Sequence, residues 1–230
     1  MQDLNSTQQN PWFSIWRHPR ATMRGILDTN PKRTVLWLVL INGLLQGLFV
    51  WPPGLSSSHH PIFVVLFSAV FGALMGLIGL YVVGTVTKWT GSWVGGVGSY
   101  LEIRAAIAWS LVPHIWGMIL KPFEIFFCGV AGPLMVTEHG PEEFVLFSVA
   151  SLFGAIELVL AVWIIVITIQ CLAEAHRIHA FKAIIAWVLA IIIIGAIVGL
   201  LAVLGALVFD PIDTLLAPSL GVSSAAVGTP

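Results

Sequence analysis

Charge is what this sequence has least of. Only 9% of its 230 residues are Asp, Glu, Lys or Arg, against roughly 25% in a soluble domain. With 58% of the chain hydrophobic, too few polar groups remain to coat a globule, so lipid must serve as solvent for most of it. A net charge of −1 leaves no basic face for nucleic acid. Cysteine is nearly missing as well. Cys128 and Cys171 are the only two, too few for a disulfide framework. The topology below puts them at opposite membrane faces, so both are expected as small hydrophobes. Residues 1–30 lack the apolar core of a cleavable signal peptide, so the first hydrophobic run is expected to persist.

Catalytic patterns are also lacking. No Gly-x-Ser-x-Gly elbow appears, and Gly95-Gly96-Val97-Gly98 lacks the Gly-Lys-Ser/Thr ending of a phosphate loop. His59 and His60 are two adjacent ligands without a third, and read as loop filler. The run Glu174-Ala175-His176-Arg177-Ile178-His179 does not match His-Glu-x-x-His. It reads as an interfacial cap on a membrane helix, and a lipid enzyme would need His176, His179 and an acid to converge. No enzyme, cofactor or metal is expected.

What the chain has in abundance is apolar runs. A bilayer core of about 30 Å needs about 20 helical residues, and five segments meet this: Thr34 to Trp51, Pro61 to Val86, Arg104 to Leu120, Phe144 to Leu172 and Ala183 to Phe209. None alternates with the period of a barrel strand. The third is interrupted at Lys121-Pro122, and Phe123 to Val136 reads as an irregular extension of it. The expected fold is all-α, a polytopic five-helix membrane bundle. Residues 1–33 form a cytoplasmic interfacial segment, 34–209 the membrane domain and 210–230 a short flexible tail. Basic residues set the orientation: all except Lys121 fall on the side of the N-terminus. The N-terminus is therefore expected in the cytoplasm and the C-terminus outside.

In the N-terminal segment, Trp12, Trp16, Arg17, Arg20 and Arg24 mix indoles with cations, a surface suited to anionic lipid headgroups or a protein partner. A short helix after Pro19 would turn Ile26 and Leu27 to lipid and Arg20 and Arg24 to phosphates. Within the spans, Glu157 sits beside Ala150, Gly154 and Ala161 on one helical face, so it is expected to meet another helix. Asn42 and His114 lie at similar depth, and the three are expected to form a midplane cluster. Such a cluster is either interhelical glue or a proton- or ion-coupled path. Gly72 with Gly76, and Gly195 with Gly199, have the spacing of close helix contacts, within one chain or in a homo-oligomer.

The lead-in Trp12-x-x-x-Trp16-x-x-Pro19-Arg20-x-Thr22-x-Arg24-x-Ile26-Leu27, the loop ending Gly98-Ser99-Tyr100 and the stretch Trp109-Ser110-Leu111-Val112-Pro113 resemble the prokaryotic branch of the Yip-domain proteins. That family takes its name from eukaryotic Ypt/Rab-interacting proteins. The likeness covers about Pro11 to Phe209. The Asp-Leu-Tyr-Gly-Pro signature of the eukaryotic members is absent, so Rab binding is not carried over. The resemblance implies a non-enzymatic membrane scaffold or adaptor in membrane organisation or trafficking, in a bacterial cytoplasmic (inner) membrane. The alternative is a small transporter or channel using Asn42, His114 and Glu157.

Overall fold

A computed structural model describes residues 10–32, 34–49, 61–127 and 141–216, with side chains described for all of these except 61, 141–147 and 208–216. Every regular element among the described residues is helical. Two short helices lead, α1 (Pro11–Arg17) and α2 (Pro19–Thr29). Each starts with proline at its first position, where a missing N–H costs nothing. The Asn10 side chain caps α1 by accepting from the Trp12 amide at 3.1 Å.

Among the described residues, four helical stretches are long and apolar enough to cross a membrane, over Ile62–Trp93, Tyr100–Phe127, Ser148–His176 and Ala180–Leu207. A fifth apolar helix, α3 (Val35–Phe49), is shorter. The second span is α4 (Pro61–Trp93), the fourth α8 (Pro141–His176) and the fifth α9 (Ala180–Leu216), which runs past Phe209. The third is built from pieces: α5 (Tyr100–Ser110), α6 (Val112–Gly117), a 3₁₀ turn (Met118–Leu120) and α7 (Lys121–Glu124). Its breaks fall beside Pro113 and Pro122, where the ring removes a helical donor. Residues 123–127 continue it in helical turns. The remainder of the expected extension, with Cys128, His59 and His60, lies outside the described residues. The chain divides into two compact units, Met1–Trp187 and Val188–Pro230.

Within the first unit the third span is central. Ile103, Ala105, Ala106, Ala108, Trp109 and Ser110 are all buried, and 44% of the span's apolar window is covered, against 6–17% for the other three. Alanine on so many sides lets α2, α3, α4 and α8 approach it closely. The outer faces of α4 and α8 expose large apolar side chains to lipid, including a stacked ladder of Phe63, Phe67 and Phe71 with ring centroids 6.3 and 6.0 Å apart.

The expectation that Ile26 faces lipid is corrected. Ile15, Met23 and Ile26 are buried in the same core as Ile103, Leu172 and Ala175, and Leu27 packs against it. The α1–α2 lead-in is thus part of the bundle, because its apolar stripe finds an alanine-rich protein surface.

The tightest helix contact joins α3 and α4. A Cβ on Gly43 would strike the Gly72 carbonyl, one on Gly47 the Ser68 carbonyl, and one on Gly72 the Gly43 carbonyl. These are backbone atoms that cannot swing aside. Gly47→Ala should therefore destabilise the protein by about 1–3 kcal/mol, as overpacking does. At Gly79 an added Cβ would meet nothing within 4 Å, so Ala there should bring no loss, or a gain of up to about 1 kcal/mol. Thermal unfolding of both variants in one detergent checks the contrast.

Candidate functional site

Three groups of side chains carry the chemistry of the first unit. The first lies between α3, the third span and α8. Asn42 is buried on α3, and its Oδ1 lies 2.6 Å from His114 Nδ1. An amide oxygen only accepts, so the ring donates from Nδ1. Glu157 reaches neither. Its carboxylate pairs instead with the Lys121 ammonium, which also takes Glu124 at 2.8 Å. His114, Gly117 and Lys121 share a helical face, and α8 closes on that face with Leu160 against Gly117. Of the expected trio, two residues are bonded and the third belongs to an ionic triad. Lys121, expected at the outer face, falls six residues before the end of the helical stretch Tyr100–Phe127. A charge at depth needs a counter-charge nearby, and Lys121 and Glu124, three apart on one turn, supply both signs.

The second group occupies the end of the bundle that carries most of the basic residues. The last turn of α8 closes with Arg177 at φ 56°, while Ile178 N donates to Ala173 O at 3.0 Å and Arg177 N to Glu174 O at 3.1 Å. This is a Schellman ending with arginine where glycine is usual. His176, at the helix end, is 1% exposed. Its ring fills a socket where side chains on Gly91 and Gly96 would have to sit. Val97 N donates to His176 O at 3.0 Å, and a Cβ on Gly98 would meet the Ala175 carbonyl. The glycine-rich loop is thus moulded around the end of α8. Gly95 turns it with φ 89°.

Ion pairs fasten the same end. Ser99 and Glu102 form a capping box on α5, and Glu102 Oε1 accepts from Arg177 Nη2 at 3.3 Å. Arg24 Nε donates to Glu174 Oε1 at 2.7 Å. That hydrogen bond, then the Glu174 charge, raises the Arg24 guanidinium above its ordinary pKa. Arg104 lies over the Tyr81 ring at 4.1 Å, and Lys88 over Tyr100 at 5.4 Å. Ser99-x-x-Glu102 was open to recognition as a capping box, whereas nothing local announced the Glu102–Arg177 or Arg24–Glu174 pairs.

The third group is the lead-in. Trp12 packs edge-on against Trp109 at 6.4 Å, and Phe13 lies 5.8 Å from Trp116. Trp16 is half-buried against the core. Arg20 Nε is shielded without a hydrogen-bond partner among the described residues. Arg17 is exposed and enters no ion pair or ring contact among the described residues. Beside it opens a groove of about 790 Å³ between α1 and Trp116. Among the described residues no group of three or more His, Cys, Asp or Glu could hold a metal.

Long apolar helices around a third span that carries polar pairs define an all-helical integral membrane protein. The family model of the Yip1 domain matches residues 13–209, and the chain belongs to the Yip1 domain family. No curated protein and no solved structure matches it.

The His176 socket makes a sharp stability test. Gly91→Ala should destabilise by forcing the imidazole out, and His176→Ala should relieve that clash. Their double-mutant cycle, read by thermal unfolding, should show a coupling of roughly 0.5–3 kcal/mol. Additive effects would mean that the ring does not occupy the socket.

Proposed function

We propose that this Yip1-family chain is a non-enzymatic scaffold or adaptor of a bacterial cytoplasmic membrane. It acts by packing within the bilayer, alone or as a homo-oligomer, and presents its N-terminal segment to anionic headgroups and to a membrane or cytosolic protein. In this reading the basic end and the N-terminus face the cytoplasm and the C-terminus faces outside, as the retention of Lys and Arg would have it. The observation that carries the reading is the pairing of the ionisable groups at depth: His114 with Asn42, and Lys121 with Glu157 and Glu124. Groups so matched hold helices together.

A second reading, transport of protons or ions, draws on one specific observation. The Glu157 side chain is 43% exposed, so its neighbours do not seal the carboxylate.

Purified protein in proteoliposomes separates the two. Under scaffolding, imposed pH or cation gradients decay no faster than in empty vesicles. Lys121→Met lowers the unfolding temperature more than Lys121→Met combined with Glu157→Gln, because the single change strands both Glu157 and Glu124 and the double change only Glu124. A gradient-driven flux that Glu157→Gln abolishes would replace scaffolding with transport.

A further inference from the structure

The groove beside α1 is a feature that scaffolding leaves unused. Its walls are aromatic, from Phe13, Trp16 and Trp116, and its polar lining includes Ser14, Arg17 and His18. At about 790 Å³ it falls within the roughly 300–1,000 Å³ typical of small-molecule sites. Trp116 belongs to the membrane-crossing third span, so the groove runs beside a helix that lies in lipid. An apolar trough in that position takes an acyl chain more readily than water.

The polar lining gives the charge. Arg24, Arg104 and Arg177 are committed to Glu174, Tyr81 and Glu102, while Arg17 remains exposed and without a counter-ion among the described residues. Ser14 Oγ already accepts from Thr22 Oγ1 at 2.9 Å, so its own hydrogen is available to donate. A guanidinium and a hydroxyl that both donate suit a phosphate oxygen, and the unmatched positive charge favours a lipid of net negative charge.

We propose that this groove seats one anionic phospholipid, an acyl chain along Phe13, Trp16 and Trp116 and the phosphate at Arg17 and Ser14. The site rests on the proposed headgroup-facing role of the N-terminal segment and names its ligand class.

Native mass spectrometry of the full chain, released from nanodiscs of equal phosphatidylglycerol and phosphatidylcholine with identical chains, tests this. The unaltered protein should retain phosphatidylglycerol about fivefold over phosphatidylcholine, the preference that one cation of about 1 kcal/mol confers. Arg17→Gln should bring the ratio to one. Phe13→Ala should weaken retention of both lipids together. Lys182→Gln, exposed and away from the groove lining, should change nothing. Arg17 is exposed and enters no ion pair or ring contact among the described residues, so Arg17→Gln should leave the unfolding temperature at the parent value, and Arg17→Lys should keep the preference. A ratio of one in the unaltered chain, or a ratio that survives Arg17→Gln, overturns the site. An equal fall with Lys182→Gln would mean annular lipid attracted by general surface charge, and overturns it too. Crosslinking in native membranes reads the adaptor role separately: retained lipid without protein capture defeats the adaptor reading, and protein capture without lipid preference defeats the groove.

Discussion

Backbone contact between α3 and α4 is the constraint on which the rest of the first unit depends. Lipid supplies no hydrophobic drive for helices to meet, so they associate by close packing and by polar bonds. Gly43, Gly47 and Gly72 remove the side chains that would hold the two backbones apart. That approach places α3 against α4 and carries Asn42, the residue before Gly43, into a buried position. A buried amide needs a partner, and His114 from the third span supplies it at 2.6 Å. The glycines therefore place the polar bond, and the polar bond ties α3 to the centre of the bundle.

The same logic operates with different chemistry where the basic residues gather. There the close approach is between an imidazole and a loop. Gly91 and Gly96 leave a hole that His176 fills, and Gly98 lets the loop backbone reach Ala175. Glu102 then serves twice, capping α5 through Ser99 and accepting from Arg177. The end of α8 is thereby held to the loop that joins α4 to α5. Arg177 in the left-handed region is the conformational cost of that closure, since its side chain is positioned to reach Glu102.

Much of the architecture was legible because hydropathy reports what lipid must see. The exposed faces of α4 and α8 are apolar, and their runs, like that of α9, stand out. The third span was harder to delimit for a physical reason: it is the span most covered by protein, so many of its residues answer to packing. Alanine, serine, histidine and lysine are admissible there, and they dilute the signal by which a span is recognised. Ile26 was misread by the same limitation. Periodicity shows that a helix has an apolar stripe, and cannot say whether lipid or an alanine-rich helix will cover it. The pairing of Glu157 was hidden because its partner, Lys121, sits in another helix, and helical periodicity carries no information across that separation. Gly72-x-x-x-Gly76, by contrast, was visible as a close-contact stripe, and Gly43-x-x-x-Gly47 on α3 is the stripe that meets it.

The pairing of Lys121 with Glu157 changes what that carboxylate means. An isolated carboxylate at depth would be held neutral or would be a waypoint for ions. Set against an ammonium that also holds Glu124, it becomes one arm of a crosslink between the third span and α8. Asn42 and His114 form the other crosslink, between α3 and the third span. Both converge on a helix already broken by Pro113 and Pro122, which has surrendered backbone hydrogen bonds and regains order through side chains. A span assembled from short pieces in this way needs its neighbours to hold its shape. That dependence makes the two polar pairs part of how the first unit holds together.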